Sequence, residues 1–272
     1  MKLYIVPTPI GNLKDITLRA LEVLKSVNYI VCEDTRRTKI LLDHYGIKDK
    51  KLISYFAPRE EEKILMILKI LEKEDVALVV DAGMPGISDP GYKLIKACLE
   101  RTRTTADNTQ TIANYTQTAG ENMWISANDT QIITDDTTQA DNVSGSSRDS
   151  SRESAFIEIE VLPGPSAFLT ALIGSGLPTD KFLFLGFLPK KGLENYLSKF
   201  ENLEATIIFY ESPQRIPKTL DVIEKVFGNV DIVIAREISK IYEEYIRGKL
   251  SEIKEKLKNK KLKGELTVIF RK

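Results

Sequence analysis

The residues of this chain that could carry out chemistry stand directly after runs of apolar, β-forming residues. Among them are carboxylates, which can accept a proton, and arginines, which can hold an anion through paired hydrogen bonds. Residues 33–37 run Glu-Asp-Thr-Arg-Arg. We favour a function for them, because adjacent acids followed by paired arginines at a strand end are unusual as packing. The full set is Glu33, Asp34, Arg36, Asp81, Ser88, Asp89, Ser166, Glu211, Ser212, Arg215, Arg236 and Glu237.

Three loops rich in glycine, proline and small polar residues share one design, at residues 7–12, 81–91 and 162–167. Each loop follows a predicted strand and precedes a helical pattern. In an open α/β sheet, the loops that leave the carboxyl ends of the strands converge on one edge, where ligands bind. Because glycine and proline fix sharp turns and let the backbone approach a ligand closely, these loops predict a cleft made largely of main chain.

Several of these residues also have a purely structural explanation. Asp89 and Ser166 could cap the helices that follow them, and Arg236 and Glu237 could pair within their own domain. The only histidine, His44, lies on a polar, leucine-rich helical stretch, which argues against a Ser-His-Asp triad, and one histidine cannot form a His-Glu-x-x-His metal site. The chain has neither a Walker P-loop nor a Gly-x-Gly-x-x-Gly fingerprint, so the common nucleotide-binding folds lose support.

The charge of the chain sums to zero but is unevenly distributed. Residues 181–272 hold 19 Lys and Arg against 13 Asp and Glu, a net charge of +6. This is compatible with a nucleic-acid partner, although a solvated lysine-rich surface is the simpler explanation. The two cysteines, Cys32 and Cys98, fit a reducing cytoplasm and argue against a disulfide scaffold or a zinc site. With no signal peptide and no apolar run of about 18 residues, we expect a soluble cytoplasmic protein with no membrane partner.

Predicted strands and helices alternate through the first part of the chain, which indicates βαβ units and a largely parallel sheet. An amphipathic helix is predicted to open at Asp15. The continuous apolar run at residues 76–80 is typical of a central strand covered on both faces. We assign residues 1–100 and 157–178 to this N-terminal α/β domain.

The rest of the chain divides into a second domain and an insertion. Residues 179–272 contain five strand candidates with fewer helices between them, which predicts a second α/β domain with a mixed sheet. Residues 101–156 hold eleven Thr and no Lys, Leu or Pro, and so little apolar area cannot offset the entropy of ordering the chain. We expect this insertion to be disordered or loosely structured. It joins a helix to a strand, so it should lie opposite the ligand edge, and its deletion should preserve ligand binding.

A series of motifs resembles, in order, those of the ribosomal RNA small subunit methyltransferase I family of the tetrapyrrole methylase superfamily. The series begins at residues 4–13 and 33–36 and includes the loops at residues 81–91 and 162–167. The resemblance covers nearly everything except residues 101–156. Further matching segments lie at residues 175–178, 186–190, 209–213, 235–237, 247–248 and 263–265.

The resemblance implies a two-domain α/β methyltransferase that uses S-adenosyl-L-methionine in the cleft between its domains. Members of the family methylate the ribose 2′-hydroxyl of a cytidine in the decoding region of 16S ribosomal RNA, and they commonly form homodimers. On this basis we expect Glu33 or Asp34 to act as the base or to orient the ribose, and Arg36 to hold a phosphate. The residues expected to bind the cofactor are Pro7, Thr8, Pro9, Gly11, Asn12, Asp81, Ala82, Gly83, Ser88, Asp89, Pro163, Gly164, Ser166, Ala167, Glu211, Arg236 and Glu237.

Two other interpretations remain open. A sister enzyme of the same superfamily would methylate a corrin or porphyrin precursor, or a protein side chain. Methyl incorporation that survives ribonuclease treatment of the acceptor would reveal such an enzyme. A non-catalytic ribosome-binding protein would keep the fold but would not bind S-adenosyl-L-methionine.

Overall fold

The computed structural model describes residues 1–56, 60–104, 156–258, 260 and 262–272. Its first sheet has five parallel strands in the spatial order β3-β2-β4-β1-β5. The central strand, β4, is buried throughout, as its continuous apolar sequence predicted. The strands are β1 Lys2–Ile5, β2 Tyr29–Cys32, β3 Lys51–Ser54, β4 Val76–Val79 and β5 Glu158–Val161.

Helices alternate with these strands, but the prediction that the first helix opens at Asp15 is wrong. Asp15 ends a short 3-10 helix, which is capped by the side chain of Asn12. The first α-helix begins at Leu18, where the Thr17 hydroxyl accepts a hydrogen bond from the Ala20 amide at 3.1 Å. Two separate caps thus divide a segment whose apolar spacing suggested one helix. The helices are α1 Leu18–Ser26, α2 Thr35–His44, α3 Glu60–Ile70, α4 Tyr92–Thr104 and α5 Ala167–Ser175.

The second sheet is mixed, as predicted, in the order β6-β7-β10-β8-β9. β6 runs parallel to β7, and the other neighbours are antiparallel. Its strands are β6 Phe182–Phe187, β7 Thr206–Glu211, β8 Asp231–Arg236, β9 Glu244–Lys249 and β10 Leu266–Arg271. Three helices cover one face of this sheet, α6 Leu193–Ser198, α7 Ile216–Phe227 and α8 Leu250–Leu257.

Helix α5 covers the opposite face of the second sheet and joins the two halves of the molecule. Its residues Phe168 and Leu172 lie in one buried cluster with Val233 and Ile269 of that sheet. Ile10, from the loop after β1, belongs to the same cluster. Apolar burial therefore fixes the loop edge of the first sheet against the second sheet. The domain boundary predicted at residue 178 stays a prediction. It would assign α5 to the N-terminal domain, although α5 packs on the second sheet.

Most of the predicted insertion, residues 105–155, lies outside the described residues. The described chain on either side of it is close together. The hydroxyl of Thr102, near the end of α4, donates a hydrogen bond of 3.0 Å to the carbonyl of Ile157, just before β5 begins. The segment is therefore attached at the amino edge of the first sheet, opposite the predicted ligand edge.

Candidate active site between the two sheets

The three loops rich in glycine and proline meet at the carboxyl edge of the first sheet. The backbones of Thr8 and Gly83 exchange two hydrogen bonds of 2.9 Å, which joins the loop after β1 to the loop after β4. The loop after β5 packs closely on the first loop, because a Cβ on Gly164 would lie 2.6 Å from the Pro7 side chain. Since β4, β1 and β5 are neighbours in the sheet, their loops converge as expected.

A cavity of about 300 Å³ opens between this loop edge and the second sheet. One wall comes from the loops after β4 and β5, and the other from the ends of β6 and β7 and the start of β10. A cavity of roughly 300 Å³ or more is large enough for a small organic ligand. The residues predicted to bind the cofactor that line this cavity are Ala82, Gly83, Asp89, Ser166, Ala167 and Glu211.

The amino terminus of α5 faces the cavity through Ser166, Ala167 and Phe168. Ser166 stands at the N-cap position, but its side chain makes no capping hydrogen bond. The structural explanation of Ser166 as a cap is therefore wrong. The first amides of an uncapped helix attract negatively charged groups, so this end of the cavity suits a carboxylate or a phosphate.

Asp89 is a cavity carboxylate without a partner among the described residues. It lines the cavity, and no other residue in the described ranges donates a hydrogen bond to it or forms an ion pair with it. Burial, together with the nearby negative charges of Glu33 and Asp81, raises the pKa of Asp89 to about 6. A carboxylate of this kind is mostly ionised at neutral pH and still basic enough to take up a proton.

Glu33 and Asp81 link the loop after β2 to the loop after β4. The Asp81 amide donates to the Glu33 carboxylate at 3.4 Å, and the Asp34 amide donates to the Asp81 carboxylate at 3.2 Å. Burial raises the pKa of both Glu33 and Asp81, although the positive charge of Arg37, 3.3 Å from Asp81, opposes the rise at that residue. Glu33 does not line the cavity, and Asp81 lines a smaller pocket of about 90 Å³ instead.

Asp34, the other predicted base, caps the amino terminus of α2. Its carboxylate caps the helix by accepting the Arg36 amide at 2.9 Å, and it pairs with the Arg36 guanidinium through bonds of 3.1 and 2.7 Å. These hydrogen bonds from Arg36 lower the pKa of Asp34 to about 2. So acidic a group is a poor proton acceptor. The Arg36 side chain itself is 88% exposed, so its outer edge is open to an anion.

Glu211 is buried in the opposite wall, and its oxygens already have partners. Its side chain is only 1% exposed. It accepts hydrogen bonds from the Thr219 hydroxyl at 2.7 Å and from the Ser212 amide at 2.8 Å, while the Arg215 guanidinium lies 3.4 Å away. This network ties the end of β7 to the start of α7. Glu211 therefore stabilises this wall of the cavity.

Arg236 and Glu237 do not line the cavity. Arg236 pairs with Glu244 at 3.2 Å. Glu237 pairs with Lys240 at 3.0 Å and accepts a hydrogen bond from the Glu265 amide, also at 3.0 Å. The structural explanation of both residues, pairing within the second half of the chain, therefore describes their contacts.

The other predicted cofactor residues shape the loops around the cavity. Thr8 donates a hydrogen bond of 2.9 Å to the Val80 carbonyl and, with Pro9, lines the smaller pocket. The Asn12 amide donates to the Ser239 hydroxyl at 3.2 Å, which ties the loop after β1 to the second half of the chain. The predicted residues outside the main cavity lining are Pro7, Thr8, Pro9, Gly11, Asn12, Asp81, Ser88, Pro163, Gly164, Arg236 and Glu237.

Sequence reasoning missed the apolar part of the cavity. Phe168, Phe187, Tyr210, Ile238 and Leu266 all line it. Most of them stand in apolar runs that are typical of ordinary core. Among these five residues, only Phe187 has a sequence signal for a position at the end of a strand, because Gly186 and Pro189 lie close to it in the chain.

Two further properties concern only the part of the chain that the structure describes. There, no group of three or more His, Cys, Asp and Glu side chains is arranged to hold a metal ion. None of the helices in these ranges is both long and apolar enough to cross a membrane.

The fold is shared with proteins of known structure. Diphthine synthase superimposes with a TM-score of 0.63 over 100% of this chain and 90% of its own, at 13% identity. Uroporphyrin III C-methyltransferase from Thermus thermophilus gives 0.56 over 99% and 97%, at 15% identity. At such identities the likeness concerns the fold alone. The two sheets and the cleft between them thus define the class as two-sheet α/β proteins that share this fold.

Sequence comparison narrows the class. The family model described as tetrapyrrole (corrin/porphyrin) methylases matches residues 2–106 and 147–254. Ribosomal RNA small subunit methyltransferase I from Hydrogenobaculum sp. (strain Y04AAS1) is 43% identical, over 100% of this chain and 96% of the relative. The protein of the same name from Thermotoga maritima is 38% identical, over 99% and 97%. The chain belongs to the ribosomal RNA small subunit methyltransferase I family within the tetrapyrrole methylases, which confirms the resemblance.

Proposed function

We propose that this protein transfers a methyl group from S-adenosyl-L-methionine to the 2′-hydroxyl of a cytidine in the decoding region of 16S ribosomal RNA. It would act in the cytoplasm, as a homodimer, on the small ribosomal subunit. Family membership supports the methyltransferase class and the ribosomal RNA acceptor. The observation that carries the proposal is the cavity between the sheets, which combines main-chain loops, an uncapped helix end and a carboxylate with no partner among the described residues.

The cavity residues fit S-adenosyl-L-methionine, which carries a carboxylate, an ammonium group, a sulfonium and an adenosine. The helix end at Ser166 suits the carboxylate. The negative charges of Glu33 and Asp81 favour a cationic sulfonium nearby. Gly83 adds no side chain to the wall and leaves room for a ligand. When bound, the cofactor supplies a methyl carbon activated by the positive sulfur.

For this methyl transfer, a residue of the cavity would have to accept the proton of the RNA 2′-hydroxyl. Asp89 is our choice of proton acceptor, because it lines the cavity, has no partner among the described residues and has a pKa of about 6. Glu33, one of the two bases expected from the sequence, would act by keeping the pKa of Asp89 raised. Arg36 would hold a phosphate of the substrate at the rim, since its guanidinium is largely exposed.

Titration of S-adenosyl-L-methionine into the protein, followed by calorimetry, tests the cofactor part of the proposal. We expect one site per chain. A protein that unfolds cooperatively but releases or absorbs no heat with the cofactor would contradict it, and would favour a non-catalytic ribosome-binding protein. Acceptor identity needs a separate measurement.

A further inference from the structure

Phe187, the last residue of β6, presents an aromatic ring at the mouth of the cavity. It lines the cavity and is 65% exposed, whereas Phe168 in the same lining is 8% exposed. Its ring centroid lies 5.4 Å from that of Tyr210, so the ring rests on the protein and still faces solvent. An exposed ring in this position offers a surface on which another planar ring can stack.

A β-bulge turns this ring toward the cavity. In a regular strand Phe184 and Phe187 would face opposite sides, because side chains alternate. In β6, however, Phe184 pairs with Ile208 and Phe187 with Tyr210, so the strand holds one residue more than its neighbour between these pairs. Gly186, with a φ of +62°, lies in the bulge, and both phenylalanines contact Tyr210. Bulges of this kind re-aim side chains beside active sites.

The backbone that follows Phe187 is firmly held. Arg215 donates hydrogen bonds to the carbonyl oxygens of Leu188 and Pro189, both at 3.1 Å. The same guanidinium lies 3.4 Å from the buried Glu211 carboxylate. Since the support of the ring is fixed in advance, stacking on it loses little conformational entropy.

Two lysines follow Phe187 in the chain, on the loop that leaves β6. Lys190 and Lys191 are exposed, and neither forms an ion pair with another described residue. An aromatic ring next to uncompensated cations matches the base and the phosphates of a single-stranded nucleic acid.

We propose that Phe187 stacks on the base of the nucleotide to be methylated, and that Lys190 and Lys191 bind phosphates beside it. This inference rests on the proposed function, because it describes how the same site would hold its RNA. The adenosyl group of the cofactor is the other source of a planar base. RNA is favoured because the ring is 65% exposed at the mouth of the cavity, and because two exposed lysines without ion-pair partners among the described residues follow it in the chain.

Phe187→Ala tests the inference on small ribosomal subunits that lack the modification. We expect the KM for subunits to rise by about tenfold, because the variant loses one base–aromatic stack. The Kd of the cofactor should stay unchanged. The Phe187→Trp variant, which keeps an aromatic ring, should have a KM for subunits close to that of the wild type. Phe156→Ala is the matched control, because Phe156 is 62% exposed and lies beside the opposite edge of the first sheet.

Filter retention of subunits, without turnover, separates a failure of this inference from a failure of the proposed function. A Phe187→Ala protein that binds and methylates subunits as the wild type does would overturn the stacking. So would a variant whose cofactor Kd rises while subunit binding is intact, which would assign the ring to adenine. Wild-type protein that binds the cofactor but retains no subunits would overturn the proposed function as well.

The lysines are tested by the salt dependence of subunit binding. Lys190→Glu combined with Lys191→Glu should weaken binding and reduce the slope of log affinity against log salt by about 1.4, since each lost phosphate contact on a single strand contributes about 0.7. Lys48→Glu is the control, because Lys48 is also exposed and lies in the loop between α2 and β3. Equal slopes in the double variant and the wild type would contradict the phosphate contacts.

Discussion

Asp89 is the single residue on which the proposed chemistry depends most. Its pKa of about 6 lies above the usual value of a carboxyl group near 4, because burial and the charges of Glu33 and Asp81 disfavour the ionised form. The folded protein therefore holds this proton more tightly than the unfolded chain. Ionisation of Asp89 therefore lowers the free energy of unfolding, and this loss develops as the pH rises from about 4 to 6.

Asp89→Asn should lower kcat by about 10²–10⁴, the usual contribution of a proton acceptor, with little change in the Kd of the cofactor. In the wild type, kcat should fall as the pH drops below about 6, since the protonated carboxyl cannot accept a proton. Methyl transfer to subunits across a pH series checks both statements. Asp231→Asn, at an exposed ion pair with Lys249, is the control. A variant with normal kcat but weakened cofactor binding would make Asp89 a binding residue instead.

The same variant has a second expected property. At pH 8 Asp89→Asn should be more stable than the wild type, by at least about 1 kcal/mol, because it removes an ionised group that folding disfavours. At pH 3.5, where the carboxyl group is mostly protonated in both the folded and unfolded states, the difference should nearly vanish. Thermal unfolding at the two pH values measures this. Equal stability at pH 8 would mean that Asp89 is solvated and its pKa ordinary.

The sequence was a partial guide to these residues. It identified Glu33, Asp34 and Asp89 as residues of the ligand edge, because all three follow strands. It could not rank them as bases. The order of these residues as proton acceptors depends on the contact between Arg36 and Asp34 and on the charges that lie near Asp89 in the folded chain. Those charges come from separate loops, so no single segment of the sequence contains the whole arrangement.

Among the elements, the bulge in β6 decides where Phe187 points. Gly186 has a φ of +62°, which a residue with a side chain adopts only with strain of about 1 kcal/mol or more. A Cβ there would also lie 3.0 Å from the Ser88 hydroxyl, on the loop after β4. The bulge therefore both orients the ring and permits close contact between the two walls of the cavity.

Gly186→Ala should lose subunit binding to an extent similar to Phe187→Ala, in addition to losing about 1 kcal/mol of stability. Gly46→Ala is the matched control, since Gly46 has a φ of +65° and an added Cβ would meet no described atom within 4 Å. It should lose stability alone. Denaturant unfolding and subunit binding, measured on both variants, separate the two effects. Equal subunit binding by the two glycine variants would contradict a directing function of the bulge.

Local sequence predicted the elements well where one signal dominated. β4 was foreseen because a buried parallel strand has an unbroken apolar sequence. The start of α1 was missed because Asn12 and Thr17 are both good caps and the apolar pattern runs through both. The bulge in β6 was missed because Gly186 alone does not distinguish a bulge from a strand end.

For the whole molecule, the cavity depends on how the two sheets meet. The cluster around Phe168, Ile10 and Val233 fixes the interface, and the hydrogen bond from the Asn12 amide to Ser239 adds to it at the rim. The sequence predicted that three loops converge, since parallel strands require it. It could not predict which side of the second sheet faces them, because both faces of that sheet are apolar.

Replacing residues 105–155 by a short glycine-containing linker should leave the cofactor Kd unchanged. The hydrogen bond between Thr102 and Ile157 already brings the flanking chain together, at the edge opposite the cavity. Keeping Arg101 and Thr102 matters, because both contact neighbouring elements. Calorimetry with the cofactor is the measurement, and circular dichroism confirms folding. A folded deletion variant that no longer binds the cofactor would show that the segment supports the site.

The proposed reaction is tested as a whole by transfer of labelled methyl from S-adenosyl-L-methionine to small ribosomal subunits that lack this modification, followed by identification of the labelled nucleoside. We expect label in 2′-O-methylcytidine of 16S ribosomal RNA, and its loss in Asp89→Asn. Label that resists ribonuclease, or no label from a protein that binds the cofactor normally, would show that the acceptor is not this RNA.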